Sequence, residues 1–251
     1  MEGIQNLKDK MLSVDDHLRV ILYGPAGGGK TTLAATFPKP FLFNFDKKLK
    51  SVYGTDVDYK DYSYDSPKDA ARSWKMFWKD FRELKRAENE YETYIFDSLT
   101  AMDAMVLCHC SVLAGNVADA KPDIGVYREQ SDLYRHLFME MNSISHKNVV
   151  LIAHQEEVRD KPDDIGGIGA IREITPLITG KKIRPKLPAM FEDVWYLTRE
   201  MKAGAGDELT LWFKPHKRIN ASSVILRGKE GKIVSGDLSY NTIMKHAIKE
   251  I

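Results

Sequence analysis

Residues 18–37 read LRVILYGPAGGGKTTLAATF. A compact apolar run at 18–23 is followed by a glycine-rich turn at 24–29, and the residues from there to about 37 favour a helix. Inside this pattern, GPAGGGKT at 24–31 fits the motif G-x-x-x-x-G-K-[ST]. In such a loop the glycines let successive backbone N–H groups turn inward around phosphate oxygens. We call residues 24–31 the phosphate loop, and it predicts a nucleotide-binding site.

The side chains of the phosphate loop have separate predicted roles. Lys30 is expected to neutralise the outer phosphates, and the Thr31 hydroxyl is the expected magnesium ligand, with Thr32 beside it. The alternative is a glycine-rich turn that binds nothing, which the strand-to-helix context disfavours. The glycines expected to surround the nucleotide are Gly24, Gly27, Gly28 and Gly29.

Asp97 ends a short apolar strand predicted at 94–96. An acid in that place is expected to hold magnesium through water, opposite the phosphate loop. The alternative is a structural role, since Asp97 or Ser98 would also serve as the N-cap of the helix that follows.

Asp46 follows a second predicted strand, at 41–45. Many ring ATPases place a catalytic glutamate directly after the strand-ending acid, but Ser98 stands there in this chain. Because parallel strands bring their carboxyl ends to one edge of a sheet, Asp46 is the predicted residue that orients the attacking water. The alternative is a solvated acid beside Lys47 and Lys48.

The remaining sequence alternates strands and helices, which predicts an α/β fold with a mainly parallel sheet. The length favours one domain at 18–251 after a polar lead-in at 1–17. The residues at 155–188 predict the longest loop, and no clear period marks the stretch before Tyr64. The other predicted elements are helices at 67–85, 100–113, 126–146 and 239–251 and strands at 148–154, 193–198, 209–213 and 223–226.

Composition excludes several classes of protein. Hydrophobic residues make up 43% and charged residues 29%, which is ordinary for a globular chain and atypical of disorder. The formal net charge is +1, so whole-chain charge predicts neither a nucleic-acid nor a membrane partner. No apolar run approaches the roughly 18 residues of a membrane span, and no secretory signal is expected. Cys108 and Cys110, the only cysteines, build no disulfide framework, so a reducing, cytoplasmic location is expected.

Four sequence blocks together resemble the RecA-like recombinase ATPases. The resemblance is specifically to the small single-domain phage proteins known as nucleotide-binding or single-strand-annealing-associated ATPases. It implies a RecA-like P-loop core, a mainly parallel twisted sheet flanked by helices with a small C-terminal β/α extension, Mg²⁺-dependent ATP hydrolysis and assembly into a ring or filament. The blocks are the phosphate loop with Thr32, LFNFD at 42–46 with the downstream Leu49 and Tyr53, YIFDSLT at 94–100 and VVLIAHQ at 149–155.

The resemblance also assigns roles to individual residues. In the family an acid at the position of Asp46 activates water, although that strand usually ends in glutamate, which is one methylene longer. A polar residue at the position of Gln155 senses the terminal phosphate and passes its state to the adjoining loop, with His154 as the rival sensor. The family's polar contact to adenine falls near Lys50, which leaves the base specificity open.

Members of the family bind single-stranded DNA through two loops, which match 115–125 and the region after Gln155. The stretch 156–164 is acidic and is expected to repel phosphate, whereas a basic set follows it. The alternatives for this basic set are an ordinary solvated loop and a segment that docks a protein. The basic set consists of Arg172, Lys181, Lys182, Arg184 and Lys186.

Lys217 and Arg218 belong to a second basic cluster. In RecA-like assemblies, basic residues at a similar place reach the nucleotide of the neighbouring subunit and stabilise the charge on the transferred phosphoryl group. The alternative is contact with DNA or solvent.

The resulting expectation is a Mg²⁺-dependent ATPase that couples ATP to single-stranded DNA binding in phage recombination or annealing, in the host cytoplasm. Its expected partners are DNA, further copies of itself and a phage annealing or single-strand-binding protein, with no membrane. One alternative is a nucleotide-dependent switch or loader that grips a protein, which the acidic stretch at 156–164 favours. The other is a small-molecule kinase using the same phosphate loop.

Overall fold

The computed structural model describes residues 17–115, 122–161, 168–179, 183–202 and 206–248. These ranges contain nine strands, five α-helices and two 3-10 helices, the latter at Lys50–Val52 and Arg184–Met190. The strands are β1 (Arg19–Gly24), β2 (Pro40–Asn44), β3 (Asp58–Asp61), β4 (Thr93–Asp97), β5 (Asn148–Arg159), β6 (Ile171–Pro176), β7 (Asp193–Lys202), β8 (Gly206–Trp212) and β9 (Lys232–Ser235). The helices are α1 (Lys30–Ala34), α2 (Pro67–Arg86), α3 (Leu99–Leu113), α4 (Ile124–Asn142) and α5 (Tyr240–Ile248).

The strands form one sheet in the order β3-β2-β4-β5-β1-β7-β8-β9, and β6 pairs with β5 off this path. The first six of these are parallel, and β8 and β9 add an antiparallel flank. One face packs against α2, α3 and α4, and the other against α1 and α5. The predicted α/β class and the C-terminal β/α extension are therefore confirmed.

The parallel register brings the ends of β1, β2 and β4 to the same edge of the sheet. The core beneath that edge on the α2 side is aromatic. Phe43 of β2 stacks on Phe96 of β4 at 4.8 Å between ring centroids and meets Phe77 of α2 edge-on at 5.6 Å. All three rings are fully buried.

Side-chain caps fix where the long helices begin. Ser66 accepts a hydrogen bond from the Asp69 N–H at 3.3 Å, and Pro67 occupies the first turn. Ser98 caps α3 by accepting from the Ala101 N–H at 3.2 Å. The cap of α3 is thus the serine, which leaves the carboxylate of Asp97 for other contacts.

Two predictions about the chain after β5 are wrong. The residues from 155 onward do not begin a loop, because β5 continues to Arg159 and pairs antiparallel with β6 as a ribbon beyond the buried core. The strand predicted at 223–226 is a turn, because the Asp193 carboxylate accepts hydrogen bonds from the Ser223 hydroxyl and the Val224 N–H.

Smaller differences concern boundaries. Helix α1 ends at Ala34 rather than near 37, and the stretch without a clear period contains the first 3-10 helix and β3. The lead-in lies outside the described residues except for His17. In the part of the chain that the structure describes, none of the helices combines the length and apolar character needed to cross a bilayer.

Truncating the central aromatic ring tests this packing. Phe43→Ala is expected to lower the free energy of unfolding by about 3–5 kcal/mol, because the cavity it leaves is walled by rigid rings. Tyr59→Ala, on the exposed edge strand β3, is the control and is expected to cost less than about 1 kcal/mol. Chemical denaturation with an unchanged m-value measures both, and equal losses would contradict the core described here.

Candidate functional site

A cavity of about 520 Å³ opens at the carboxyl edge of the parallel strands. The phosphate loop and the first turn of α1 form one wall. The others come from the end of β4, the residues that follow β2, and interior positions of β5 and β7. The lining residues are Ala26, Gly27, Gly28, Gly29, Lys30, Thr31, Thr32, Asp46, Lys47, Lys48, Lys50, Ser51, Asp97, Ser98, Ile152, His154 and Arg199.

Glycine is required in the phosphate loop for two different reasons. A Cβ atom at Gly24 would lie 2.1 Å from the backbone oxygen of Leu197, so the start of the loop packs directly against the backbone of β7 and leaves no room for a side chain. Gly27 and Gly29 have φ angles of 74° and 86°, a left-handed conformation that favours glycine. With glycine at these positions, the backbone of the loop can curve around the Lys30 ammonium.

Lys30 is buried, and its ammonium donates to the backbone oxygens of Gly24 at 3.0 Å and Pro25 at 2.7 Å. Burial lowers its pKa to about 8, against the opposing attraction of Asp97 and Asp46. The ammonium therefore holds the loop in shape by contacts that phosphate oxygens can replace.

Thr31 and Asp97 meet at the bottom of the cavity. The Thr31 hydroxyl donates to the Asp97 Oδ2 at 2.6 Å, across 66 residues of sequence. Burial raises the pKa of Asp97, while the hydrogen bond from Thr31 acts in the opposite direction. Two adjacent oxygen atoms, one of them from a buried carboxylate, are suitable ligands for the hard cation Mg²⁺. The structure thus brings together the two residues predicted to hold magnesium.

Asp46 faces the same cavity. Its Oδ2 lies 3.6 Å from His154 Nε2 and 3.6 Å from Lys48 Nζ. The neighbouring imidazole of His154 is the main cause that lowers the pKa of Asp46, and the charge of Lys48 adds to it, whereas burial opposes it. Asp46 is therefore an ionised carboxylate at the cavity wall, held by two neighbours.

Gln155, the predicted phosphate sensor, is not among the lining residues. Successive residues of a strand point to opposite faces, so His154 faces the cavity and Gln155 faces away. The Gln155 Oε1 accepts a hydrogen bond from the Tyr196 hydroxyl at 2.8 Å. The structure therefore places the rival sensor, His154, beside the nucleotide site.

The second basic cluster also lies outside the cavity lining. Lys217 and Arg218 are exposed in the turn that follows β8. Within one chain they do not complete the site, and their action on a neighbouring copy stays a prediction.

The structure spreads the basic set over several elements. Arg172 is exposed on β6 and Lys186 on the second 3-10 helix, whereas Lys181 and Lys182 lie outside the described residues. Arg184 has a structural role, since it pairs with the Glu156 carboxylate at 2.8 Å and donates to the Ile178 backbone oxygen at 3.1 Å.

Sequence reasoning missed Arg199, which lines the cavity from β7. One signal for Arg199 lies in the strand pattern. β7 runs parallel to β1, so the residues near the predicted end of β7 at 198 lie at the edge that carries the phosphate loop.

The burial of Asp97 generates a prediction about stability. Its folded-state pKa is raised above the ordinary value, so its ionisation costs folding free energy at neutral pH, and this cost disappears as the pH falls below about 4. Asp97→Asn keeps an acceptor for Thr31 and removes the charge. It is expected to stabilise the nucleotide-free protein by about 0.5–2 kcal/mol at pH 7 and to weaken Mg²⁺-dependent nucleotide binding.

Denaturation at pH 7 and pH 4 measures this difference. The gain at pH 7 should shrink toward pH 4, because protonation progressively removes the buried charge of the wild-type carboxylate. A variant less stable than wild type at pH 7 would show that Asp97 contributes a net stabilising charge, contrary to the burial described here.

Comparison with known proteins identifies the family of the chain. The AAA_24 family, described as an AAA domain, matches residues 16–223, which contain the phosphate loop, Asp46, Asp97 and His154. A comparison with curated proteins finds no match. The family match covers most of the chain and the whole cavity, so the chain belongs to the AAA_24 family of AAA-type P-loop ATPases.

Proposed function

We propose that this protein is a Mg²⁺-dependent ATPase that couples ATP binding and hydrolysis to the binding of single-stranded DNA. The phage recombination or annealing role is the one implied by the resemblance to RecA-like phage ATPases. The observation that carries the proposal is the convergence in one cavity of Lys30, the Thr31–Asp97 pair and the Asp46–His154 pair.

Each of these groups has a task in phosphoryl transfer to water. The loop N–H groups and the Lys30 ammonium bind the phosphates, with Lys30 exchanging its two carbonyl contacts for phosphate oxygens. Thr31 and Asp97 would hold Mg²⁺, which neutralises phosphate charge when bound. Asp46 accepts a hydrogen bond from the attacking water and orients it, while His154 fixes the carboxylate.

In this proposal Lys217 and Arg218 act in a ring or filament. Their exposed turn is available to a second copy of the chain, whose nucleotide would receive the positive charge. Self-association is therefore part of the proposed mechanism.

A hydrogen-bonded route leads from the cavity toward the basic set. The backbone N–H of His154 donates to the Thr100 hydroxyl at 3.1 Å, and that hydroxyl donates to the Leu177 backbone oxygen at 3.2 Å. The Leu177 N–H returns to the His154 backbone oxygen at 2.8 Å. A shift of His154 on nucleotide binding would therefore move the segment that begins at Leu177.

The same segment is held from the other side by α3. The buried Asp103 carboxylate accepts from the Thr179 N–H at 2.7 Å, from the Thr179 hydroxyl at 2.5 Å and from Gln130 at 2.8 Å. Helix α3 begins at Leu99, two residues after Asp97, so both supports of residues 177–179 lie close in sequence to the nucleotide site. This arrangement supports coupling between nucleotide state and the surface that carries the basic set.

A nucleotide-dependent switch acting on a protein partner is the second candidate. The observation that favours it is the pairing of Arg184 with Glu156 and of Arg159 with Glu157 on the β5–β6 ribbon. Such pairs reduce the positive charge offered to a polyanion.

Removing the charge of Asp46 tests its role in hydrolysis. Asp46→Asn is expected to lower kcat about 10²-fold or more. The neutral amide is a weaker hydrogen-bond acceptor for the attacking water than the negatively charged carboxylate. The Kd for ATP is expected to change less than about threefold, since Asp46 touches water rather than the phosphates. Steady-state hydrolysis and equilibrium binding measure the two quantities, with the exposed Asp237→Asn as the control. A wild-type kcat in Asp46→Asn would remove Asp46 from the mechanism.

Reversing the charge of Arg172 tests the DNA partner. Arg172→Glu is expected to weaken single-stranded DNA binding about tenfold in the presence of a non-hydrolysable ATP analogue, and to flatten its salt dependence. Fluorescence anisotropy at two salt concentrations measures the effect. Lys245→Glu, an exposed charge reversal on α5, is the matched control and should leave DNA affinity nearer to wild type. ATP hydrolysis without any DNA binding by the wild type would favour the protein switch instead.

A further inference from the structure

Arg199 is fixed beside the phosphate loop by the register of β7 and β8. It stands directly opposite Leu209 in the antiparallel pair and two residues after Leu197, so all three share one face of the sheet. Both neighbours touch the loop: a Cβ atom at Gly28 would lie 3.4 Å from the Leu197 oxygen, and one at Gly29 would lie 3.4 Å from Leu209 Cδ2. Arg199 itself lines the cavity.

The guanidinium of Arg199 is held by the carboxylate of Asp207. Asp207 lies two residues before Leu209 on the same face of β8, diagonal to Arg199. Both side chains are partly open to solvent, at 46% and 35% exposure. An exposed ion pair of this kind contributes little to stability, so a phosphate group can displace the carboxylate at small cost.

The order of the strands separates Arg199 from the acidic groups of the cavity. Across the edge of the sheet stand Asp46 after β2, Asp97 at the end of β4, His154 on β5, the phosphate loop after β1 and finally Arg199 on β7. Asp46, Asp97 and His154, which are proposed to serve the terminal phosphate and its magnesium, are on one side of the loop. Arg199 is on the opposite side, so it would approach phosphates in the loop from the side away from the terminal one.

We infer that Arg199 is a substrate-contacting residue that binds the nucleoside-proximal phosphates, α and β, in the same chain, with Asp207 as the group it leaves on binding. This inference rests on the proposed nucleotide site and adds a residue to it. A guanidinium presents a planar fork of N–H donors that matches phosphate oxygens, which a lysine does not reproduce. ATP and ADP both carry the α- and β-phosphates, so the contact serves substrate and product alike.

The test compares ATP and ADP affinities in the wild type and in four variants. Arg199→Ala is expected to raise the Kd for both nucleotides by about tenfold, with Arg199→Lys in between. Asp207→Asn is expected to lower both Kd values a few-fold, because the guanidinium no longer has to leave a carboxylate. This gain should vanish in the Arg199→Ala/Asp207→Asn double variant.

Arg227→Ala, an exposed arginine outside the cavity, is the matched control and is expected to bind both nucleotides like the wild type. Thermal unfolding confirms that each variant is folded. Unchanged affinities in Arg199→Ala would overturn the inference, and so would a loss confined to ATP, which would place Arg199 on the γ-phosphate. Failure of the proposed function is distinguishable, because the wild type would then bind no better than Lys30→Ala.

Discussion

The parallel alignment of β1, β2, β4, β5 and β7 is the constraint on which the site depends. Because these strands run in the same direction, residues far apart in sequence end at one edge. The hydrogen bond from Thr31 to Asp97 is the clearest product of this alignment, since it joins the phosphate loop to a strand two positions away in the sheet. Any shift in strand register would separate the two oxygens that fit magnesium.

The buried charges of Lys30 and Asp97 at that edge lower the folding stability of the nucleotide-free protein. Burial lowers the pKa of Lys30 and raises that of Asp97, so each charge is less favourable here than in water. The charged form of each becomes favourable when phosphate and a cation arrive. Partly exposed pairs, namely Asp46 with His154 and Arg199 with Asp207, surround these two buried charges and are easier to rearrange.

Much of this arrangement is predictable from the sequence. The phosphate loop combines a spacing and a local context that few other structures share, and the ends of β2 and β4 follow from short buried strands. The orientation of individual side chains is harder to predict. Gln155 and His154 are adjacent and both polar, and only the register of β5 determines that His154 faces the cavity.

Other features depend on long-range contacts that a local pattern does not contain. The β5–β6 ribbon carries acidic residues that obscure the alternation of apolar and polar residues by which a strand is recognised. Its two strands are separated by a connection that lies partly outside the described residues. Arg199 has no motif of its own, and its place beside Gly28 and Gly29 comes from the pairing of β7 with β1 and β8. Tertiary pairing, rather than local propensity, decided these positions.

Proton uptake on ATP binding tests the central claim most directly. The free protein holds Lys30 with a pKa of about 8, and bound phosphates would keep its ammonium charged. Calorimetric titration at pH 8 in buffers of different ionisation enthalpy is predicted to show uptake of about half a proton per ATP in the wild type, and none from this position in Lys30→Arg. ATP binding without proton uptake, or with the same uptake in both proteins, would contradict the account of Lys30 as the buried phosphate-binding cation.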